Sequence, residues 1–349
     1  MSINASFFSS KELQVGVGLD ASNVGTVFAG SFTAIESEGV SPPTFNDIRV
    51  ERRGGASSGI MTATTDLFHY GTGATIEGTV SGYLTDELVD ILLPNALGVA
   101  EASNVYTVDG TSTSNVTFEH GDASALNKTL SFAYNGVSAS GFDDSVVIAG
   151  CVITSLTLTA DPAEDGGRMR FEANWISRTP KSIASTFSAT GSTMGAYSTS
   201  YVFLNDYSHH VKVANANVLL KSFSMTIDNP VVFGGFGGSG VDGAPQTYIR
   251  SVPEMAITVN PVVKYDTNVD NLWENMRGSA DGTQSETLTT PAFQMSDNAT
   301  YNDAGANRSI RIADGTVNEL SWDEGDYLGL SVTIKARGDA SESFYLKHV

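Results

Sequence analysis

Ser145–Leu158 (SVVIAGCVITSLTL) and Ser309–Trp322 (SIRIADGTVNELSW) align without a gap, and each stretch runs on through an acidic, glycine-containing turn into a second alternating strand. A chain that writes one hairpin twice is most simply folded as two copies of one unit. The elements upstream keep the same order. Ala74–Leu93 (ATIEGTVSGYLTDELVDILL) and Met255–Arg277 (MAITVNPVVKYDTNVDNLWENMR) each read as a strand feeding a short helix. Val27–Ser37 (VFAGSFTAIES) precedes the first as Leu219–Asn229 (LLKSFSMTIDN) precedes the second. Duplicated modules build surfaces and assemblies more often than a single active centre.

The pattern inside these elements sets their type. Met169, Phe171, Ala173 and Trp175 alternate with Arg170, Glu172 and Asn174, the period of an antiparallel sheet with one buried face. Thr75, Glu77, Thr79 and Ser81 alternate in the same way with Ile76, Gly78, Val80 and Gly82. In the first helix Thr85 is the expected N-cap, Asp86 and Glu87 complement the positive end of the dipole, and Leu88, Ile91 and Leu92 share one face. Pro94 is expected to stop it. The second helix takes Asp266 or Thr267 as cap, an apolar face of Val269, Leu272 and Trp273, and Gly278 as its end. Helices of roughly ten residues are not stable alone, so each must lie on a sheet. The closing hairpins are expected at Val146–Thr159 with Arg168–Arg178, and at Ile310–Ser321 with Leu328–Arg337.

These signals divide the chain into an N-terminal arm (1–23), a first β module (24–180), a Ser/Thr-rich linker or long loop (181–210) and a second β module (211–349). Only 17% of residues are charged, and Gly, Ser and Thr are abundant, which suits short strands joined by tight turns. The fold class expected is mainly β, with one short helix flanking each module.

Acidity restricts the partners. Residues 1–180 hold 8 basic against 21 acidic side chains and residues 181–349 hold 11 against 18, for a formal charge of −20. A phosphate-gripping surface needs concentrated Lys and Arg, so non-specific attachment to nucleic acid is disfavoured. Cys151 lies inside an apolar strand and has no second cysteine to pair with, so it reads as a small buried hydrophobe. The first twenty residues lack a basic region followed by an apolar run, and no stretch approaches 18 apolar residues; synthesis in the cytoplasm without a membrane span is expected.

Catalytic vocabulary is sparse. The loop Phe233–Gly243 (FGGFGGSGVDG) is rich in glycine but precedes no helix and no Lys-Ser/Thr pair, so it does not cradle phosphate; its Phe233 and Phe236 either insert into a neighbouring subunit or fold back onto their own sheet. A second loop, Glu51–Gly59 (ERRGGASSG), reads as a flexible surface segment. His69, His120, His209, His210 and His348 show no metal-ligand spacing, and the adjacent pair would point to opposite faces of a strand. Asp161–Gly166 and Asp323–Asp326 offer oxygen ligands without the twelve-residue calcium loop. No GxSxG elbow occurs. No catalytic, cofactor-binding or metal residues are therefore assigned, and no enzyme is expected.

Four segments carry a resemblance: Gly73–Gly98 (GATIEGTVSGYLTDELVDILLPNALG), Ala149–Pro180 (AGCVITSLTLTADPAEDGGRMRFEANWISRTP), Leu219–Phe233 with its Asn229-Pro230 turn (LLKSFSMTIDNPVVF) and Ala256–Met276 (AITVNPVVKYDTNVDNLWENM). Their order resembles the major tail tube proteins of long-tailed bacteriophages. The resemblance implies two tandem tube-like β-sandwich or barrel modules, a structural role in the virion tail, and stacked rings closed by three such chains as a pseudo-hexamer or by six. It further implies contact with the tape-measure protein, the tail terminator and baseplate or tail-tip proteins, and passage of genomic DNA without specific binding. An alternative from another class is a carbohydrate- or calcium-binding β-sandwich of a virion or adhesin. That reading needs Trp175, Trp273 or Trp322 as an exposed stacking platform, whereas Trp175 and Trp273 fall on apolar stripes.

Overall fold

The computed structural model describes residues 13–20, 28–37, 43–46, 49–51, 67–69, 75–98, 105–108, 117–119, 129–136, 144–177, 183–184, 193–233, 247–250, 254–262, 288, 290–324, 328–337 and 344–349. The first half contains β1 (Leu13–Leu19), β2 (Ser31–Ile35), β3 (Thr44–Asn46), β4 (Arg49–Glu51), β5 (Leu67–His69), β6 (Thr75–Tyr83), helix α1 (Asp86–Leu97), β7 (Val105–Val108), β8 (Thr117–Glu119), β9 (Leu130–Gly136), β10 (Asp144–Ala160), β11 (Arg170–Ser177) and β12 (Ile183–Ala184). After β13 (Thr193–Tyr197) and the single-turn α2 (Leu204–Tyr207) come β14 (His210–Val213), β15 (Ala216–Asn217), β16 (Leu219–Asp228), β17 (Val231–Phe233), β18 (Thr247–Arg250) and β19 (Glu254–Val262). The described strands end with β20 (Phe293–Ser296), β21 (Arg308–Ile312), β22 (Gly315–Glu324), β23 (Leu328–Ala336) and β24 (Phe344–His348). The fold is mainly β.

One antiparallel path runs β3-β6-β11-β10-β16-β19-β23-β22. Two further layers pack against it, β13-β2-β1-β9-β10-β12 and β15-β14-β20-β21-β24-β7. β10, 17 residues long, serves both kinds of layer, pairing with β9 as far as Cys151 and with β11 from Val152 onward. Gly150, at φ 68, occupies the left-handed region that glycine enters without steric cost, and there the pairing passes from β9 to β11.

The same pairing scheme occurs twice. β10 and β11 pair with a shift between Ile153 and Ser155; β22 and β23 pair with a shift between Val317 and Glu319. In the ungapped alignment Thr154 falls on Asn318, so both bulges occupy one position. Phe132 opposite Ile148 is matched by Phe293 opposite Ile312, and Val17 opposite Phe132 by Val213 opposite Phe293. A bulge leaves an extra residue unpaired and disrupts the ladder locally, so both ladders are interrupted at aligned residues.

Several expectations are corrected by these pairings. The Val27–Ser37 segment holds β2, which pairs with β1 and β13, and is no counterpart of β16. The strand that pairs with β6 as β16 pairs with β19 is β3: Thr44, Phe45 and Asn46 lie opposite Glu77, Ile76 and Thr75, as Thr226, Ile227 and Asp228 lie opposite Ala256, Met255 and Glu254. Ile310 belongs to β21 in another layer, so the second hairpin starts at Gly315. The 1–23 arm contributes β1 to a layer interior, where Val15 and Val17 are buried between β2 and β9. Glycines in GVG diluted its apolar signal.

The 181–210 segment is more than a linker. It supplies β12, β13 and α2, and buries Val202, Leu204 and Tyr207. Helix α1 continues through Pro94 to Leu97 and ends at Gly98, whose left-handed φ of 67 lets its N–H reach the Pro94 carbonyl at 2.7 Å. Proline costs the helix one bond, while Ala96 and Leu97 continue beyond it the buried face of Leu92 and Leu93. Thr85 stands at the N-cap without a side-chain capping bond. The expected helix at 266–278 and the loops 52–59 and 234–243 lie outside the described residues.

Among the described residues the main core cluster spans both halves, and Phe32, Ala133 and Val147 form a smaller one. Trp175 stacks on Phe132 at 5.1 Å, joining the long antiparallel path to the layer behind it, and Phe223 stacks on Phe293 at 6.0 Å in the other half. Cys151 is free and fully buried, and burial pushes its thiol well above the usual range.

Candidate functional site

Strand alternation gives the eight-stranded path two unlike faces. Leu156, Leu158, Phe171, Ala173, Met225 and Ile227 point into the core. The opposite face is a field of hydroxyls. Ser81, Glu172, Thr157 and Thr226 form one row across four strands, and Tyr83, Arg170, Thr159, Ser224, Thr258 and Thr333 form the next. Short side chains meet across the strands: Thr157 and Thr226 at 3.3 Å, Thr258 and Thr333 at 3.1 Å, and Thr79 donating to Asn174 at 2.6 Å. Glu77, Glu172, Asp228 and Glu319 stand among them, with Lys335 and Arg170, the latter ion-paired with Asp165. The result is a smooth, weakly anionic face with little to hold a polyanion.

β10 and β16 meet at the middle of this path. Leu156 lies opposite Ile227, Thr157 opposite Thr226 and Leu158 opposite Met225. Past the end of β16, Asn229 closes the seam: its N–H donates to the Thr154 carbonyl at 2.8 Å and its Nδ2 to the Ile153 carbonyl. The seam joins the last strand of the β3-β6-β11-β10 unit to the first strand of the β16-β19-β23-β22 unit. Two identically ordered units are thus joined head to tail.

The outer edge differs from the seam in burial. Leu156 and Leu158 are 0% and 2% exposed. Their aligned counterparts on β22 are Leu320, half-buried, and Trp322, which is 41% exposed. Among the described residues no strand lies against the outer side of β22.

A hollow on the hydroxyl face is bordered by Ser81, Tyr83, Thr157, Thr159, Arg170 and Glu172. Beside it Arg168 lies over the rings of Tyr201 and Tyr83, at 4.7 and 5.4 Å, and the Tyr201 hydroxyl donates to Glu36. Cation–π and ion-pair partners occupy both arginines. In the turn Asp161–Gly166 the Asp161 carboxylate accepts the Ala163 N–H at 2.8 Å. Among the described residues no group of three His, Cys, Asp or Glu side chains is placed to hold a metal ion, and no helix is long and apolar enough to cross a membrane.

Two polar clusters, one buried and one partly exposed at Asp86, escaped the sequence reading because their members are far apart in the chain. In the first, the Asp20 carboxylate accepts from the hydroxyls of Thr129 and Ser131 and from the Gly150 N–H at 3.0 Å. In the second, Arg308 donates to Asp86 at 3.1 Å, His348 Nε2 lies 3.0 Å from the same carboxylate oxygen, and the Tyr207 hydroxyl meets His348 Nδ1 at 2.7 Å. This cluster pins α1 of the first half to β21 and β24 of the second. Of the other histidines, His209 and His210 are exposed, with only His210 in a strand. His120 and the side chain of His69 lie outside the described residues. Trp273 does too.

Burial and the neighbouring Arg308 hold the His348 pKa below its ordinary value, against the opposing pull of Asp86 and Asp90. The neutral ring is therefore the folded form. Its contribution to stability is complete above the unfolded pKa of about 6.5 and is lost as pH falls from there toward the lower folded pKa. Unfolding midpoints measured between pH 7 and 5 should fall with pH, and His348→Asn should flatten that part of the profile.

A scan against protein-family models finds no match, and no curated protein is similar to the chain in sequence.

Proposed function

We propose that this chain is a non-enzymatic structural subunit that self-assembles through its sheet edges into rings, as the building block of a phage tail tube. Two tandem modules would make up the chain, and the hydroxyl face would line the bore. The observation that carries this reading is the β10·β16 seam, which joins two units of identical strand order head to tail. A heterologous contact that repeats closes into a ring when its rotation divides the circle without a rise along the axis, and closure removes the aggregation hazard of free edges.

The chemistry of the hydroxyl face supports the rest. Any attraction per phosphate is multiplied over a long channel, so a wall that conducts DNA must offer short neutral side chains and a slight excess of carboxylates. Thr157, Thr226, Thr258 and Thr333 with Glu172 and Glu319 meet that requirement, in a chain of net charge −20. Partners would be further copies of the chain, the tape-measure protein, tail terminator and baseplate or tail-tip proteins, with the virion tail as location. The test is direct: the full chain, purified and concentrated, is expected to form rings or tubules in negative-stain images and to scatter light as a multimer. Single copies only, at high concentration, would end the reading.

A further inference from the structure

We infer that the outer edge of β22 receives the β3 strand of a second copy, in the register that β10 and β16 already use within one chain. The inference rests on the proposed self-assembly and deepens it by assigning the two edges and their alignment. Three observations carry it. β22 occupies in the second unit the place β10 holds in the first, with the bulge at the matching residue. β3 occupies the place of β16: Thr44 lies opposite Glu77 as Thr226 lies opposite Ala256. Leu320 and Trp322 are apolar, as at the seam, yet Trp322 is 41% exposed where its counterpart Leu158 is 2% exposed. Apolar area left open at an edge, where the aligned seam position is covered, suits a strand supplied by a second copy.

Transferring the seam register sets the pairs. Thr157 faces Thr226 and Leu156 faces Ile227 at the seam, so Ser321 faces Thr44 and Leu320 faces Phe45 between copies. The register matters because a slip of one residue turns every side chain to the wrong face of the sheet.

Disulfide cross-linking reads the register. Ser321 and Thr44 are exposed, so Ser321→Cys with Thr44→Cys leaves the core untouched, and Cys151 is buried away from oxidant. Oxidation of the assembled double variant is expected to give covalent multimers on a non-reducing gel. The offset pair Ser321→Cys with Asn46→Cys should give at least tenfold less, because diagonal neighbours stand about 7–8 Å apart. Trp322→Lys, at an exposed site, should keep the melting temperature of the single chain while abolishing the multimer.

Multimers that form without the Ser321–Thr44 cross-link, or that survive Trp322→Lys, overturn the assigned edge and leave the structural role standing. A wild-type chain that stays single at every concentration overturns both.

Discussion

Trp175→Ala is expected to lower the unfolding free energy by about 4 kcal/mol, the range for emptying a buried aromatic site. Trp175 is 1% exposed, stacks on Phe132 across the two layers, and lies opposite Gly78 on β6. It fills space contributed by three strands that cannot close in on a void, because each is held in a ladder on both sides. The same site is sensitive from the other direction. A Cβ on Gly78 would lie 2.4 Å from the indole Cζ2, so Gly78→Ala must push the ring or bend β6. Urea denaturation of the two variants beside the wild type checks both statements; a loss below about 1 kcal/mol for Trp175→Ala would mean that the layers are not joined through this ring.

Asp20→Ala is expected to cost about 3 kcal/mol, as removal of a buried charged acceptor does when its donors stay behind. Thr129, Ser131 and Gly150 all direct donors at that carboxylate, and Gly150 is the residue at which β10 passes from one layer to the next. The defect should therefore be concentrated at the crossing. Hydrogen exchange of the amides from Ile148 to Val152 should accelerate more than that of β23. Thermal melting combined with exchange tests this; a uniform acceleration across both halves would show a general loss of stability with no local role for Asp20.

Repetition was legible where it was carried by long alternating strands. Ser145–Leu158 against Ser309–Trp322 aligns without gaps, and the structure pairs the two stretches alike down to the bulge at Thr154 and Asn318. β3 was missed as the partner of β16 because three paired residues carry no periodicity of their own; only the ladder to β6 marks them. β1 carries a weak signal because Gly16 and Gly18 alternate with its buried valines. At Gly16 a Cβ would meet Met194 Sδ at 2.6 Å, so the close packing that excludes a side chain also erases the signal. The extent of α1 was underread for a related reason: burial of Leu97 and Ala96 outweighs the bond that Pro94 removes.

What the amino-acid sequence determined by itself was strand type, the order of the repeated hairpin, the burial of Cys151 and Trp175, and the acidic balance, all of which depend on residues near one another or on simple sums. Tertiary structure alone decided which strands are neighbours: the β10·β16 seam, the exposed Trp322 on β22, and the Asp20 and His348 clusters. Those features join residues up to 262 positions apart, as His348 to Asp86. Local propensity acts over a few residues and is blind to such contacts. They are chosen by burying the apolar faces of all strands at once, a global condition that no single segment expresses.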